Sequence, residues 1–328
     1  MIQSKKELIP PCFMMRIFWI FFLVLSFAWD LTPIFAETKK ADEQHSEIEI
    51  TVAVAANFKN PMEEIHHLFQ IQNPNCKIIY LYGSSGHLTN QIRNGAQIDL
   101  FLSADLDFPV SLYKEGFSLT PPDVYAEGRL VLVSNETLPI GDSLSEILTS
   151  KQIKYIAIAN PKTAPYGKAA MNYLTQLGIW NSIEGKLVYG ENVTQVNQFV
   201  FTGAADVGFT SFSSVKSKED QWKNWKKLDP KLVPPIRQGK ILIQPKEPHS
   251  LEKKRILHRL SQFIGSKEVF PIFQKYGYEI PVELLNPNAN GNTNANANGI
   301  ANTKQNRNEY NDANRNRNIN ADRKTKAK

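Results

Sequence analysis

Residues 48–58, IEITVAVAANF, decide how the chain is to be read. Ile48–Val54 is an Ile/Val run of strand length, and it stops in the small polar turn Ala55-Ala56-Asn57. Phe58, Met62, Ile65 and Phe69 then recur at helical spacing, with Pro61 placed where only a first helical turn tolerates it. A buried strand, a short turn and a helix follow one another within 22 residues. The same unit returns downstream. Lys77–Tyr82 is a strand that runs into Gly83-Ser84-Ser85-Gly86 and a helix through Leu88 and Ile92, and Ile98–Leu102 is a third strand. Such alternation predicts a mainly parallel sheet covered by helices.

A second series begins with strands at Leu130–Ser134 and Tyr155–Ala159. The latter enters Asn160–Gly167 and a helix from Lys168. Leu187–Tyr189 leads through Gly190–Val193 into a helix ending near Thr202, and Ala205–Thr210 is a further strand. Trp222 to Pro235 reads as loop, Lys240–Gln244 as a returning strand, and Leu251–Tyr276 as a helical region broken near Gly265. The expected organisation is α/β with two lobes, each a mainly parallel sheet flanked by helices. Residues 47–128 and a return segment 235–285 form the first lobe, and 129–234 form the second. A ligand cleft between the lobes would face the carboxyl ends of the strands, where open α/β sheets bind their ligands.

The flanks have a different character. Arg16 precedes the 13-residue apolar run Ile17–Trp29, and cleavage after Ala36 would make 1–36 a signal peptide. A start at Met14 or Met15 gives that signal its conventional form. The run is shorter than the roughly 20 residues of a membrane span. From Asn286 to Lys328, 15 of 43 residues are Asn, the composition of a disordered basic tail. The net charge of +6 belongs to the two flanks, and residues 37–285 are neutral overall, which argues against a nucleic-acid partner. Cys12 lies upstream of the apolar run, so removal of the signal leaves Cys76 as a lone thiol, expected to be buried and inert.

Four strand-to-helix turns carry the candidate chemistry: Ala55–Phe58, Gly83–His87, Ala164–Lys168 and Asn192–Thr194. The first turn of a helix presents N–H groups without intrahelical partners and a partial positive charge, so each turn is a candidate anion contact. Read singly, Asn57 is also a common helix-capping type, and Ser84 and Ser85 are ordinary turn residues. Gly83-Ser84-Ser85-Gly86-His87 sets serines beside a histidine, which admits a serine hydrolase as a distant alternative, but it is not a G-x-S-x-G elbow. His66-His67 are adjacent and fit no metal spacing.

The segments VAVAANFKNPM (52–62), YLYGSSGHLTNQIRNGAQIDLFLSAD (80–105), IAIANPKTAPYGKAA (156–170), GENVTQVNQFVFTGAADVGF (190–209) and FQKYGY (273–278) resemble the molybdate-binding proteins of ABC-type molybdate uptake systems. The resemblance is collinear from Ile48 to Tyr278. It implies a type II periplasmic-binding-protein fold and a non-enzymatic, periplasmic, monomeric protein that uses no cofactor. Such a protein captures molybdate or tungstate and hands it to the membrane subunits of an ABC transporter. The family's contacts match Ala56, Asn57, Ser84, Tyr166 and Val193, with Ser85, Ala164 and Ser211 as secondary candidates. Where some members carry a tyrosine in the strand after the fourth helix, this chain has Gly208-Phe209-Thr210-Ser211. Physically, a fully deprotonated oxyanion accepts hydrogen bonds and donates none. A fitting site therefore offers neutral donors only: the Asn57 amide, the Ser84 and Tyr166 hydroxyls and the Val193 N–H. Sulfate or phosphate is the alternative ligand, and cavity size would have to separate sulfate from molybdate.

Overall fold

The computed structural model describes residues 47–134, 143–222 and 224–286. The signal peptide expected over 1–36, Cys12 and the Asn-rich segment beyond Asn286 lie outside the described residues.

Strands β1 (Ile48–Ala55), β2 (Cys76–Gly83), β3 (Leu100–Leu102), β4 (Asp123–Gly128) and β10 (Ile236–Leu242) form one sheet in the order β2-β1-β3-β10-β4. Strands β5 (Leu130–Ser134), β6 (Ile156–Ala159), β7 (Leu187–Gly190), β8 (Val207–Ser211) and β9 (Trp225–Lys227) form a second, ordered β7-β6-β8-β5-β9. In each sheet three neighbouring strands are parallel and two antiparallel strands extend it. The chain leaves the first sheet between Gly128 and Leu130 and returns to it between Lys227 and Ile236.

The apolar run that opened the reading is buried on both faces. Ile50, Val52 and Val54 point into a core with Phe58, Met62, Ile65 and Phe69, while Ala53 faces Leu88, Ile92 and Phe101 on the other side. A strand covered by helices on both faces needs such a near-continuous apolar run. The helix Lys59–Gln72 buries Pro61, Met62, Ile65 and Phe69 on one face. The broken helical region closes the same core through Leu257 and Leu260 of the helix Leu251–Ile264, Val269 of the 3-10 turn Lys267–Val269 and Phe273 of the helix Phe270–Lys275. In the second sheet β5 alternates: Leu130 and Leu132 face Ile156, Tyr173 and Phe209, while Val131 and Val133 face Val196 and Val200. Cys76 is buried, and burial pushes its thiol up to about 11, which keeps it protonated and unreactive.

Two strands escape the sequence reading. β9 lies inside the stretch read as loop, yet Trp225 and Lys227 pair with Val133 and Val131. β4 carries Asp123 and Glu127, charges tolerated because the strand is at the sheet edge. The returning strand starts at Ile236 rather than Lys240, because Arg237, Gln238 and Gly239 mask the pattern and a register shift falls at Gln238/Gly239.

Candidate functional site

The carboxyl ends of β1, β2, β6 and β7 deliver the four turns to one small pocket. Its lining contains Ala56 and Asn57 from the first turn and Ser84 and Ser85 from the second. Ala164, Pro165 and Tyr166 come from the third, and Asn192 and Val193 from the fourth. Ala104, at the end of β3, completes it. Every candidate but Ser211 is therefore brought together. Asp and Glu side chains do not contribute to this lining.

The second turn holds the site's exposed chemistry in a buried place. Ser84 precedes the helix Ser85–Arg93 with extended backbone, makes no side-chain cap, and is 3% exposed. Its Oγ has no hydrogen-bond partner in the protein. A buried hydroxyl without a partner costs about 1–3 kcal/mol, so its position calls for a ligand or water. Ser85 differs: its Oγ accepts from the Ala104 N–H at 2.9 Å, tying the turn to β3.

In the fourth turn Asn192 caps the helix Val193–Phe201, its Oδ1 accepting from the N–H groups of Thr194 at 2.9 Å and Gln195 at 3.3 Å. The cap thus covers the second and third N–H groups of the helix and not the first, that of Val193. In the third turn Pro165 opens the helix Pro165–Gln176, where its fixed φ and missing N–H are no loss. Tyr166 is 2% exposed, and its hydroxyl accepts from Gln238 Nε2 at 3.2 Å. Burial raises the Tyr166 pKa well above the ordinary tyrosine value, so the phenol keeps its proton and can donate it.

Asn57 corrects one expectation. Its amide donates to Gln238 Oε1 at 3.0 Å and to the Tyr278 hydroxyl at 2.8 Å, so both amide hydrogens are engaged inside the protein. Its backbone carbonyl accepts from Ser213 Oγ at 2.8 Å and from the Tyr278 hydroxyl at 2.9 Å. Asn57 is neither a helix cap nor a free side-chain donor. It joins elements of both lobes. Ser211 is a second correction: its Oγ accepts from the Ser214 N–H at 3.2 Å and caps the short helix Phe212–Lys216, outside the cavity lining.

Gln238 is the hub that the sequence reading missed. Fully buried, it accepts from Asn57 and from Tyr125 (2.9 Å) and donates to Tyr166. It therefore links the first turn, β4 and the third turn. Gly128, where the chain crosses between sheets, must lack a side chain here: a Cβ would lie 2.1 Å from the Tyr166 hydroxyl and 2.5 Å from Gln238 Nε2. Beside the crossing, Arg129 forms a bidentate pair with Glu279 at 2.7 and 2.9 Å.

Asp105 follows Ala104 and accepts from the Ser103 hydroxyl at 3.0 Å and the Phe108 N–H at 3.3 Å, yet burial outweighs both and pushes its pKa up to about 6 from 3.8. Between those values the unfolded chain is ionised while the folded one holds its proton. The Asp105 contribution to stability therefore declines as pH rises from about 4 to about 6 and stays flat above. Asp105→Asn should remove that decline, measured as urea midpoints of both proteins at about pH 4 and about pH 7. A pH dependence identical in the two would contradict it.

Two α/β lobes closing over a small cavity that helix N-termini line, and acidic side chains do not, define a binding protein. The family model for bacterial extracellular solute-binding proteins matches residues 50–279, and the chain belongs to that family. It is 36% identical over 231 residues to the molybdate-binding protein ModA of Rhodobacter capsulatus, covering 70% of this chain and 88% of that protein. The ModA protein of Azotobacter vinelandii is 35% identical over 233 residues, 70% of this chain and 89% of its own. The solved periplasmic molybdate-binding protein of Azotobacter vinelandii superposes with a TM-score of 0.64 at 28% identity, over 71% of this chain and 99% of that one.

Proposed function

We propose that this chain is a periplasmic, monomeric binding protein that captures molybdate or tungstate and delivers it to the membrane subunits of an ABC transporter. The observation that carries the reading is the Ser84 hydroxyl, buried at the cavity with no protein partner. Around it stand the Tyr166 phenol, held protonated by burial, and the Val193 N–H that the Asn192 cap leaves over. A dianion with four acceptor oxygens fits a lining of neutral donors, and a carboxylate in the lining would repel it. With its side chain engaged elsewhere, Asn57 would contribute through its backbone N–H, alongside Ala56 at the same turn. Ser85 and Ala164 would serve by shaping their turns. Likeness to relatives named for molybdate supports the choice of metal, which the donor geometry alone does not make.

Ser84→Ala tests the reading. Removing a donor to a ligand oxygen should weaken molybdate binding by about 1–3 kcal/mol, roughly 5- to 150-fold, with the folded stability of the ligand-free protein unchanged or higher, since a buried hydroxyl without a partner is removed. Tryptophan fluorescence titration of wild type and variant reads this, and equal affinities would place the anion elsewhere.

A further inference from the structure

A direct backbone contact between the lobes lies beside the pocket. The Gly86 N–H, in the first turn of the helix Ser85–Arg93, donates to the Thr163 carbonyl of the opposite lobe at 2.8 Å. This N–H is one of the groups that a helix start leaves unpaired, so the helix that presents Ser84 to the cavity also grips the far lobe. The approach leaves no room for a side chain. A Cβ on Gly86 would lie 2.8 Å from both the Cα and the carbonyl oxygen of Thr163, and 3.0 Å from Phe108 Cζ.

Neither side of this contact yields easily. Thr163 sits in a turn braced by Asn160, whose carbonyl accepts from the Thr163 N–H at 3.1 Å and the Ala164 N–H at 2.8 Å, and whose Oδ1 accepts from the Lys162 N–H at 3.0 Å. The next residues in that turn, Ala164 to Tyr166, line the cavity. Phe108 packs against the core of Leu88, Ile92 and Leu112. Lys168 and Asp107 also pair between the lobes, at 2.8 Å, but their side chains are 53% and 73% exposed, and such surface pairs add little.

Gly86 is not required by its own backbone. Its φ is not among the positive ones, and a helical glycine replaced by alanine ordinarily gains stability. The backbone of the opposite lobe is the tighter of the two constraints on this glycine, since Phe108 meets it only with a ring tip. We propose that the Gly86–Thr163 contact is the stop against which the lobes close, making Gly86 a positioning residue that governs how long the anion is held. This rests on the oxyanion reading above. Within its own lobe a methyl group at 86 would ask only a small shift of the Phe108 ring tip, whereas against the Thr163 backbone of the opposite lobe it would hold the two apart, so the main loss would appear in ligand release.

The test is Gly86→Ala in the mature protein, titrated against molybdate, tungstate, sulfate and phosphate with stopped-flow rates, beside Lys168→Gln. For Gly86→Ala the Kd should rise at least about tenfold through faster dissociation, with the association rate within about threefold and the ligand-free Tm unchanged or higher. Lys168→Gln should stay within about threefold of wild type. An unchanged Kd in Gly86→Ala, a fall in its ligand-free Tm, or an equal loss in Lys168→Gln would each overturn the stop. The comparison is made on whichever anion the wild type holds. A wild type that prefers sulfate or phosphate would overturn the choice of molybdate and leave the stop to be judged on that ion, while a wild type that binds none of the four would overturn both.

Discussion

Replacing Gln238 by leucine should destabilise the protein by about 3–5 kcal/mol, because one substitution strips partners from three buried groups. Gln238 accepts from the Asn57 amide at 3.0 Å and the Tyr125 hydroxyl at 2.9 Å, and it donates to Tyr166 at 3.2 Å. Tyr125 keeps the Ser103 carbonyl, at 3.1 Å, and Asn57 keeps Tyr278, so the loss falls short of three full desolvation penalties. Tyr166 loses its orienting donor. A chain of this size loses about 2–4 °C of Tm for each kcal/mol, so the midpoint should fall by about 10 °C. Differential scanning calorimetry of the ligand-free protein reads the effect. A fall of only a degree or two would mean that the network is incidental to the fold. Molybdate affinity should fall as well, since the same side chain holds Tyr166 at the cavity.

Gly167→Ala should be of comparable size by a different route. A Cβ on Gly167 would stand 1.9 Å from the Ala159 carbonyl oxygen and 2.6 Å from the Ala159 carbonyl carbon. Those atoms are backbone at the end of a central strand, paired to β7, so they cannot rotate away as a side-chain tip can. The helix Pro165–Gln176 would have to lift off the sheet, at a cost of at least about 3 kcal/mol. The displacement would carry Tyr166 and Ala164 with it, so stability and affinity should fall together. Gly185→Ala is the control: open space surrounds that glycine, and its substitution should be nearly neutral. Equal midpoints for the two variants, from urea unfolding, would contradict the packing argument.

How much of this was legible beforehand depended on the range of the interactions. The helix Lys59–Gln72 was written in the spacing of Met62, Ile65 and Phe69, and β5 in an apolar run bounded at Ser134, because period and length are local signals. The four turns were legible for the same reason, since a strand end, small polar residues and a helix start lie within a few positions. What held the turns in place was not. Gln238 meets Asn57 across 181 residues, and Tyr278 meets it across 221, and the composition near 238 reads as polar loop. Only the pairing of β10 beneath the first lobe's turns buries that glutamine. The partners of Asn57 were hidden for the same reason: an amide at a helix start looks available until its long-range partners are seen. Ser211 was selected by resemblance of position, and its capping of the helix Phe212–Lys216 is a local role that the Ser211-Phe212-Ser213-Ser214 sequence permits.

The assignment of the cavity predicts more than an affinity. Because its donors are neutral, binding should vary only modestly with ionic strength, unlike a site built on paired lysines or arginines. Closure of two lobes on the ion would also link capture to a shape that a transporter can recognise.

The most direct test of the central claim is a calorimetric titration of the mature wild-type protein with molybdate, tungstate, sulfate and phosphate in turn. A lining of neutral donors, taken with the likeness to relatives named for molybdate, predicts sub-micromolar binding of molybdate or tungstate, one ion per chain, with sulfate and phosphate bound far more weakly. Tight binding of sulfate or phosphate with none of molybdate or tungstate would contradict it.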